Sequence, residues 1–239
     1  MHIGEACAKQ EYLRRGSVCS RGALMLVMSL EMILAKRVVP AATVDDVDQA
    51  LPLAGALLEA DLDIVEITFR TEEAAGAIRR IVNEFPEMVV GAGTVLTPDM
   101  LDRAIESGVS FAVAPGLNET IVSRALNAGL AFVPGVMTPT EIDRGIELGC
   151  NLLKFFPAEA LGGVKMLKAL AGPYAHTGVK FLPTGGIDAG NAAEYLALDV
   201  VGAVGGSWMV RKDLIRARKW GEITRLARQA LEICSPSRA

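Results

Sequence analysis

From Val38 onward, short apolar runs alternate with longer segments whose apolar positions recur at helical spacing. The runs at Val38–Ala42, Asp63–Phe69, Met88–Gly93, Phe111–Ala114, Ala131–Pro134, Asn151–Phe156, Lys180–Pro183 and Val201–Gly205 are expected to be strands. Helices are expected over Val44–Glu59, Glu72–Phe85, Pro98–Ser107, Asn118–Ala128, Pro139–Leu148, Gly163–Leu170 and Ala189–Ala197, with a closing helix over Asp213–Ile233. Ser29 is placed to cap a short helix over Leu30, Ile33 and Leu34. About eight βα units is the count of a (β/α)8 barrel, whose usual length is ~250 residues. A doubly wound open sheet alternates in the same way, but no GxGxxG opens the first helix. The expected fold class is therefore α/β, a single (β/α)8 TIM barrel with an N-terminal helix.

An internal echo supports repeated units. Ser107–Gly116 and Asn127–Gly135 both run from a helix-ending glycine through an apolar strand to a Pro-Gly turn. The sixth run, Asn151-Leu152-Leu153-Lys154-Phe155-Phe156, is apolar apart from one lysine and closes at Pro157. Leu152, Lys154 and Phe156 share one face, and Leu153 and Phe155 share the other. Apolar residues on both faces imply cover on both sides. A lysine there either snorkels to water or is a desolvated amine able to attack a carbonyl.

The second run sharpens the choice. Ile64, Glu66, Thr68 and Arg70 fall on one face and Val65, Ile67 and Phe69 on the other. The outer face of a barrel strand packs on helices, so the polar set is expected inside, with Glu66 and Arg70 towards the mouth. A buried Glu–Lys or Glu–Arg pair kept for structure is the plain alternative, although such pairs are often no more stabilising than apolar replacements. Active sites of these barrels sit where strands end. Gly91-Ala92-Gly93-Thr94 there leaves room and offers a hydroxyl. Pro183-Thr184-Gly185-Gly186 and Gly205-Gly206-Ser207 end the seventh and eighth strands, where glycine turns commonly hold phosphate.

Composition then excludes other classes. The chain has 239 residues, 51% hydrophobic and 22% charged, enough for one large core. A net charge of −4 leaves no electrostatic footprint for nucleic acid. Cys7, Cys19, Cys150 and Cys234 show no metal-binding spacing and suggest reduced thiols in the cytoplasm. With His2 and His176 the only imidazoles, a histidine-based metal site is not expected. Residues 1–28 place Arg14, Arg15 and Arg21 before the apolar run Ala23–Met28. That order imitates a secretory signal, but Glu31, Lys36 and Arg37 follow, no A-x-A site is present, and the run is short of the ~20 residues of a membrane span. Residues 1–28 are expected to be a disordered extension or an over-called start, and 29–239 the catalytic barrel.

Together, Glu66–Thr71, Gly91–Val95, Lys154–Glu159, Pro183–Ile187 and Gly205–Trp208 resemble the KDPG/KHG aldolase family, the 2-keto-3-deoxy-6-phosphogluconate and 4-hydroxy-2-oxoglutarate aldolases. The resemblance runs from about Ser29 to the end and leaves residues 1–28 without a counterpart. It implies that Lys154 forms a Schiff base with substrate and Glu66 is the general acid/base. It further implies that Arg70 binds the pyruvyl carboxylate with Thr94, that Gly185, Gly186 and Ser207 hold the phosphate beside Gly206, and that Thr184 and Phe156 line the pocket. No cofactor or metal is implied. A small 2-keto-3-deoxy sugar acid phosphate is the implied partner, with no nucleic acid or membrane, in a homotrimer. Two departures touch acceptor preference. Ala114 stands where serine is expected before the retained Pro115, and Ala41-Ala42-Thr43 replaces a bulkier aliphatic run. Sugar-phosphate isomerisation, or a barrel that only binds, are the rival readings of the same residues.

Overall fold

The computed structural model describes residues 21–235, with backbone alone for 21–28; the remainder of the expected extension, residues 1–20, lies outside the described residues. The first element is helix α1 (Arg21–Lys36), which begins earlier than the cap at Ser29 suggests. It packs against β1 (Val38–Ala42), β2 (Ile64–Thr68), β4 (Phe111–Val113) and β5 (Ala131–Val133). Ile33 is fully buried. Leu34 fills the space beside Gly202, next to Leu152 and Lys180, which open their strands. The helix therefore lies across the end where strands begin, leaving the opposite end open.

All ladders are parallel. A six-stranded sheet runs β5-β4-β3-β2-β1 and then the last strand, with β3 at Val89–Gly93. A three-stranded sheet comprises β6 (Gly135–Val136), β7 (Leu152–Phe155) and β8 (Lys180–Phe181); the last strand, β9, is Val204–Gly206. The expected fifth strand is divided at Pro134, which has no N–H to donate. It continues as β6, whose Gly135 N–H donates to Gly116 O at 3.3 Å. Between β8 and β9 the bridges Phe181–Val201 and Thr184–Gly205 carry the pairing across, with Gly205 N–H on Pro183 O at 2.9 Å. The result is a curled, parallel α/β sheet.

Local sequence explains the helices around it. Helices α4 (Pro98–Glu106) and α6 (Pro139–Glu147) each start with Thr-Pro. The Thr97 and Thr138 hydroxyls cap them, and Glu141 completes a capping box. Asn118 caps α5 (Glu119–Asn127) through its side-chain oxygen. Gly108 and Gly129, at φ 84° and 74°, end α4 and α5 in the left-handed region, which accounts for the echo between those units. Helices α2 (Ala50–Leu58), α3 (Ala74–Glu84), α7 (Gly163–Ala171) and α8 (Ala192–Leu196) complete the middle of the chain. The expected single closing helix is two, α9 (Lys212–Arg216) and α10 (Trp220–Cys234), because Arg218 takes φ 53° between them. Within the six-stranded sheet Val38, Ala42, Val65, Ile67, Val90 and Ala92 share the outer face and are buried without measurable exposure, as expected when helices cover it.

Candidate active site

Partners across a parallel ladder point to the same face. Glu66 pairs with Gly91, Gly91 with Phe111, and Phe111 with Ala131. Alternation from Ala131 through Val133 brings Gly135 to this face, and Gly135 pairs with Lys154. Lys154 and Glu66 thus share one interior face, from different strands. The contacts agree: a Cβ on Gly91 would strike the Phe111 ring at 2.2 Å, and one on Gly93 would strike Glu66 Oε1 at 1.8 Å. Gly93 is bare because the Glu66 carboxylate occupies the position of its missing side chain.

Lys154 is 6% exposed and Glu66 3%. Neither forms an ion pair or hydrogen bond through its side chain among the described residues; the Lys154 ammonium nitrogen instead sits 5.1 Å from the centroid of the Phe156 ring. A structural Lys–Glu or Glu–Arg pair would bring opposite charges within bonding distance, and none is formed. Ionisable groups this buried and left unpaired by the protein lower stability, a pattern expected where they serve chemistry. The snorkelling alternative fails too, since Lys154 remains buried.

The other expected residues lie at strand ends and in the loops that follow them. Thr68 is buried, and its hydroxyl lies 2.8 Å from that of Thr43, a contact unforeseen from sequence although Thr43 directly follows the first strand. Arg70 departs from the strand alternation. The strand ends at Thr68, a tight turn puts Arg70 N–H on Thr68 O at 2.8 Å, and Arg70 is exposed beyond the strand's end. It has no carboxylate partner among the described residues. Thr94, half-buried at the rim, takes φ 61°, an uncommon conformation for a residue with a Cβ. Pro115 is half-buried above β4, and its carbonyl oxygen lies where a Cβ on Gly135 would fall.

Beyond β8, Thr184 is buried, and its Oγ1 rests 2.5 Å from the position a Cβ on Gly205 would occupy. Gly185 and Gly186 follow at φ 96° and 81°, conformations in which a side chain is strained. Their carbonyls are engaged: Gly185 O accepts from Glu159 N–H at 3.0 Å and Gly186 O from Asn191 Nδ2 at 2.9 Å. Their own N–H groups have no acceptor among the described residues. Gly206 is buried beneath the Trp208 ring, and Ser207 is exposed at the same end. Two free backbone donors and a hydroxyl at strand ends suit an anion. Glu159 also accepts a hydrogen bond from Tyr195, a pairing that sequence reasoning missed although Glu159 closes the lysine motif.

A buried amine and a carboxylate on one inner face, below glycine turns with free N–H groups, define a lysine-centred enzyme site on a parallel α/β sheet. The family model for KDPG and KHG aldolase matches residues 30–226, and the chain belongs to that family. It is 45% identical over 204 residues to the 2-dehydro-3-deoxy-phosphogluconate aldolase of Haemophilus influenzae, covering 85% of this chain and 95% of the relative. To the KHG/KDPG aldolase of Escherichia coli K12 it is 46% identical over 195 residues, 82% of this chain and 91% of the relative. Among solved structures it resembles the KDPG aldolase of Legionella pneumophila, captured with pyruvate as a covalent carbinolamine intermediate. That match has a TM-score of 0.80 at 38% identity and covers 84% of this chain and 97% of that one. The Zymomonas mobilis ZM4 2-keto-3-deoxy-6-phosphogluconate aldolase with 3-phosphoglycerate matches at TM-score 0.78 and 38% identity, covering 86% and 95%.

Proposed function

We propose that the protein is a class I aldolase that cleaves 2-keto-3-deoxy-6-phosphogluconate to pyruvate and glyceraldehyde 3-phosphate, and/or 4-hydroxy-2-oxoglutarate to pyruvate and glyoxylate. The observation that carries this reading is Lys154, an amine held 6% exposed on the interior face and unpaired with any carboxylate among the described residues. As the free amine, Lys154 attacks the C2 ketone, and loss of water gives an iminium that withdraws electrons from C3. Glu66, through a water, takes the proton of the C4 hydroxyl. The C3–C4 bond breaks, its electron pair passes into the iminium as an enamine, and the aldehyde leaves. Glu66, now protonated, returns that proton to C3, and hydrolysis of the imine releases pyruvate and restores the amine.

Arg70 binds the pyruvyl carboxylate with Thr94. Its exposure at the rim and its lack of a competing carboxylate support a bidentate grip on incoming substrate. Gly185, Gly186, Gly206 and Ser207 receive the phosphate, and Thr184, Pro115 and Phe156 line the space between. The two sheets are read as one closed eight-stranded barrel with α1 across its base. This is supported by the continuity of β5 into β6 and by the Phe181–Val201 and Thr184–Gly205 bridges. The catalytic domain is taken as 29–239, with residues 1–28 dispensable. Assembly as a homotrimer follows the family resemblance, and buried, unpaired Cys150 and Cys234 support a cytoplasmic location.

Pyruvate with borohydride tests the reading. Inactivation is expected, with added mass on the peptide holding Lys154 and neither effect in Lys154→Ala. Label on Lys165 or Lys168, both exposed on α7, refutes the assignment. Turnover without any reducible adduct refutes the imine itself.

A further inference from the structure

We propose that Glu159 and Tyr195 are positioning residues that hold the Gly185–Gly186 turn ready for a phosphate, an inference resting on the phosphate reading above. Glu159 lies in the loop after β7. Its N–H donates to Gly185 O at 3.0 Å, and the Ala158 N–H donates to Thr184 O at 2.8 Å. The loop and the turn thus continue the β7–β8 ladder past the strands' own ends. The Glu159 Cβ and Cγ lie 2.6 Å from where a Cβ on Gly186 would stand, so this side chain is the wall against which the turn rests.

The carboxylate continues past the turn towards α8. Its Oε1 lies beside Gly163 and accepts the hydroxyl of Tyr195, a side chain with no measurable exposure. Burial, and then the adjoining carboxylate, push the Tyr195 phenol well above its ordinary range, so it remains a donor at any physiological pH. Asn191, just before α8, binds Gly186 O at 2.9 Å. One short helix therefore grips Gly186 twice, at its carbonyl directly and at its flank through Glu159. A double-glycine turn is the most conformationally free stretch the backbone offers, and fixing its free N–H groups in advance lowers the ordering cost when an anion binds.

Lys154 is fixed by other means. Its N–H bonds Pro134 O at 2.8 Å, and Phe155 N–H bonds Leu182 O at 3.2 Å, within the ladder and independent of Glu159. Loosening the strut should therefore weaken phosphate recognition and spare imine formation.

The test compares Tyr195→Phe and Glu159→Gln in the full chain, with Ser207→Asp alongside. Tyr195→Phe is expected to raise KM for 2-keto-3-deoxy-6-phosphogluconate about tenfold, the low end for losing one hydrogen bond to a charged group. Competitive inhibition by inorganic phosphate should weaken by the same factor. KM for 4-hydroxy-2-oxoglutarate and borohydride trapping of pyruvate should stay within about twofold. Glu159→Gln keeps the shape and an acceptor oxygen and should stay close to the parent on both substrates. Glu159→Ala removes the same contact from the solvent side and decides the matter if Tyr195→Phe is unstable. For Tyr195→Phe or Glu159→Ala, equal losses on both substrates, or none on either, overturn the strut. If Ser207→Asp discriminates the two substrates while the strut variants do not, the phosphate reading stands and this inference falls. If Ser207→Asp also affects both substrates equally, the phosphate reading itself is wrong.

Discussion

Gly93→Ala tests the site with a single methyl group. An ideal Cβ on Gly93 falls 1.8 Å from Glu66 Oε1, 2.6 Å from its Cδ and 2.8 Å from its Cγ. Ordinary contact for a Cβ begins near 3.4 Å, so the carboxylate must retreat by roughly 1.5 Å, further than the ~1 Å misplacement that already costs about 10²-fold in a catalytic group. Glu66 is 3% exposed and cannot swing out to water to relieve the clash. Gly93 is not among the positive-φ residues, so alanine adds no backbone strain, and overpacking should cost about 1–3 kcal/mol of stability. Exchange of pyruvate methyl protons into deuterated water isolates the enamine step and needs no aldehyde. That exchange and aldol cleavage should both slow by about 10²-fold or more, while borohydride still traps pyruvate on Lys154. Gly91→Ala is the control: its Cβ meets the Phe111 ring at 2.2 Å, and it should lose stability with far less effect on exchange. If a folded Gly93→Ala exchanges within about threefold of the parent, the displaced carboxylate is not the base.

Three further outcomes are expected. Glu66→Gln keeps the shape but cannot accept a proton, so methyl exchange and cleavage should fall by about 10²–10⁴-fold in a folded protein; exchange within about tenfold of the parent moves the assignment to Thr94 and an ordered water. Exhaustive chelation should leave activity intact, because an iminium is the electron sink and the sequence has two histidines in all; loss to EDTA with rescue by a divalent ion points to a metal enolate instead. A chain starting at Met28 retains Ile33 and Leu34, which pack under the strands, and should fold and turn over as the full chain does. An insoluble or inactive truncation would show that the preceding residues belong to the catalytic unit.

Periodicity made the alternating strands and helices legible, since each strand buried on two faces reads as an apolar run and each covering helix shows its own 3.6-residue period. Lys154 and Glu66 were visible because each breaks such a run, and a charge on an otherwise apolar strand must have a reason. What periodicity misses is where a period stops. Arg70 reads as the next inward position after Thr68, yet the strand ends at Thr68 and the turn delivers the guanidinium to the exposed rim. The break at Arg218 is hidden for the same reason, because apolar spacing on both sides of it looks like one continuous helix.

The glycines show a second limit, and it bears on how the site is built. Read along the chain, Gly91 and Gly93 end a strand and leave room, and Gly185 and Gly186 make a turn. In three dimensions each is a space already assigned: Gly91 to the Phe111 ring, Gly93 to the Glu66 carboxylate, and Gly186 to the Glu159 side chain. A missing side chain carries no label saying which neighbour uses the gap, and that neighbour lies on another strand or loop. The same absence performs two opposite tasks. At Gly93 it admits a side chain and so fixes the position of the proposed base. At Gly185 and Gly186 it permits a backbone conformation and so exposes N–H donors to the mouth. Alanine should therefore act through displacement of the Glu66 carboxylate at Gly93, and at Gly186, where φ is 81°, through backbone strain added to displacement of Glu159. The Gly186 variant should lose phosphate recognition first, because Lys154 and Glu66 are held by strands that the turn does not support.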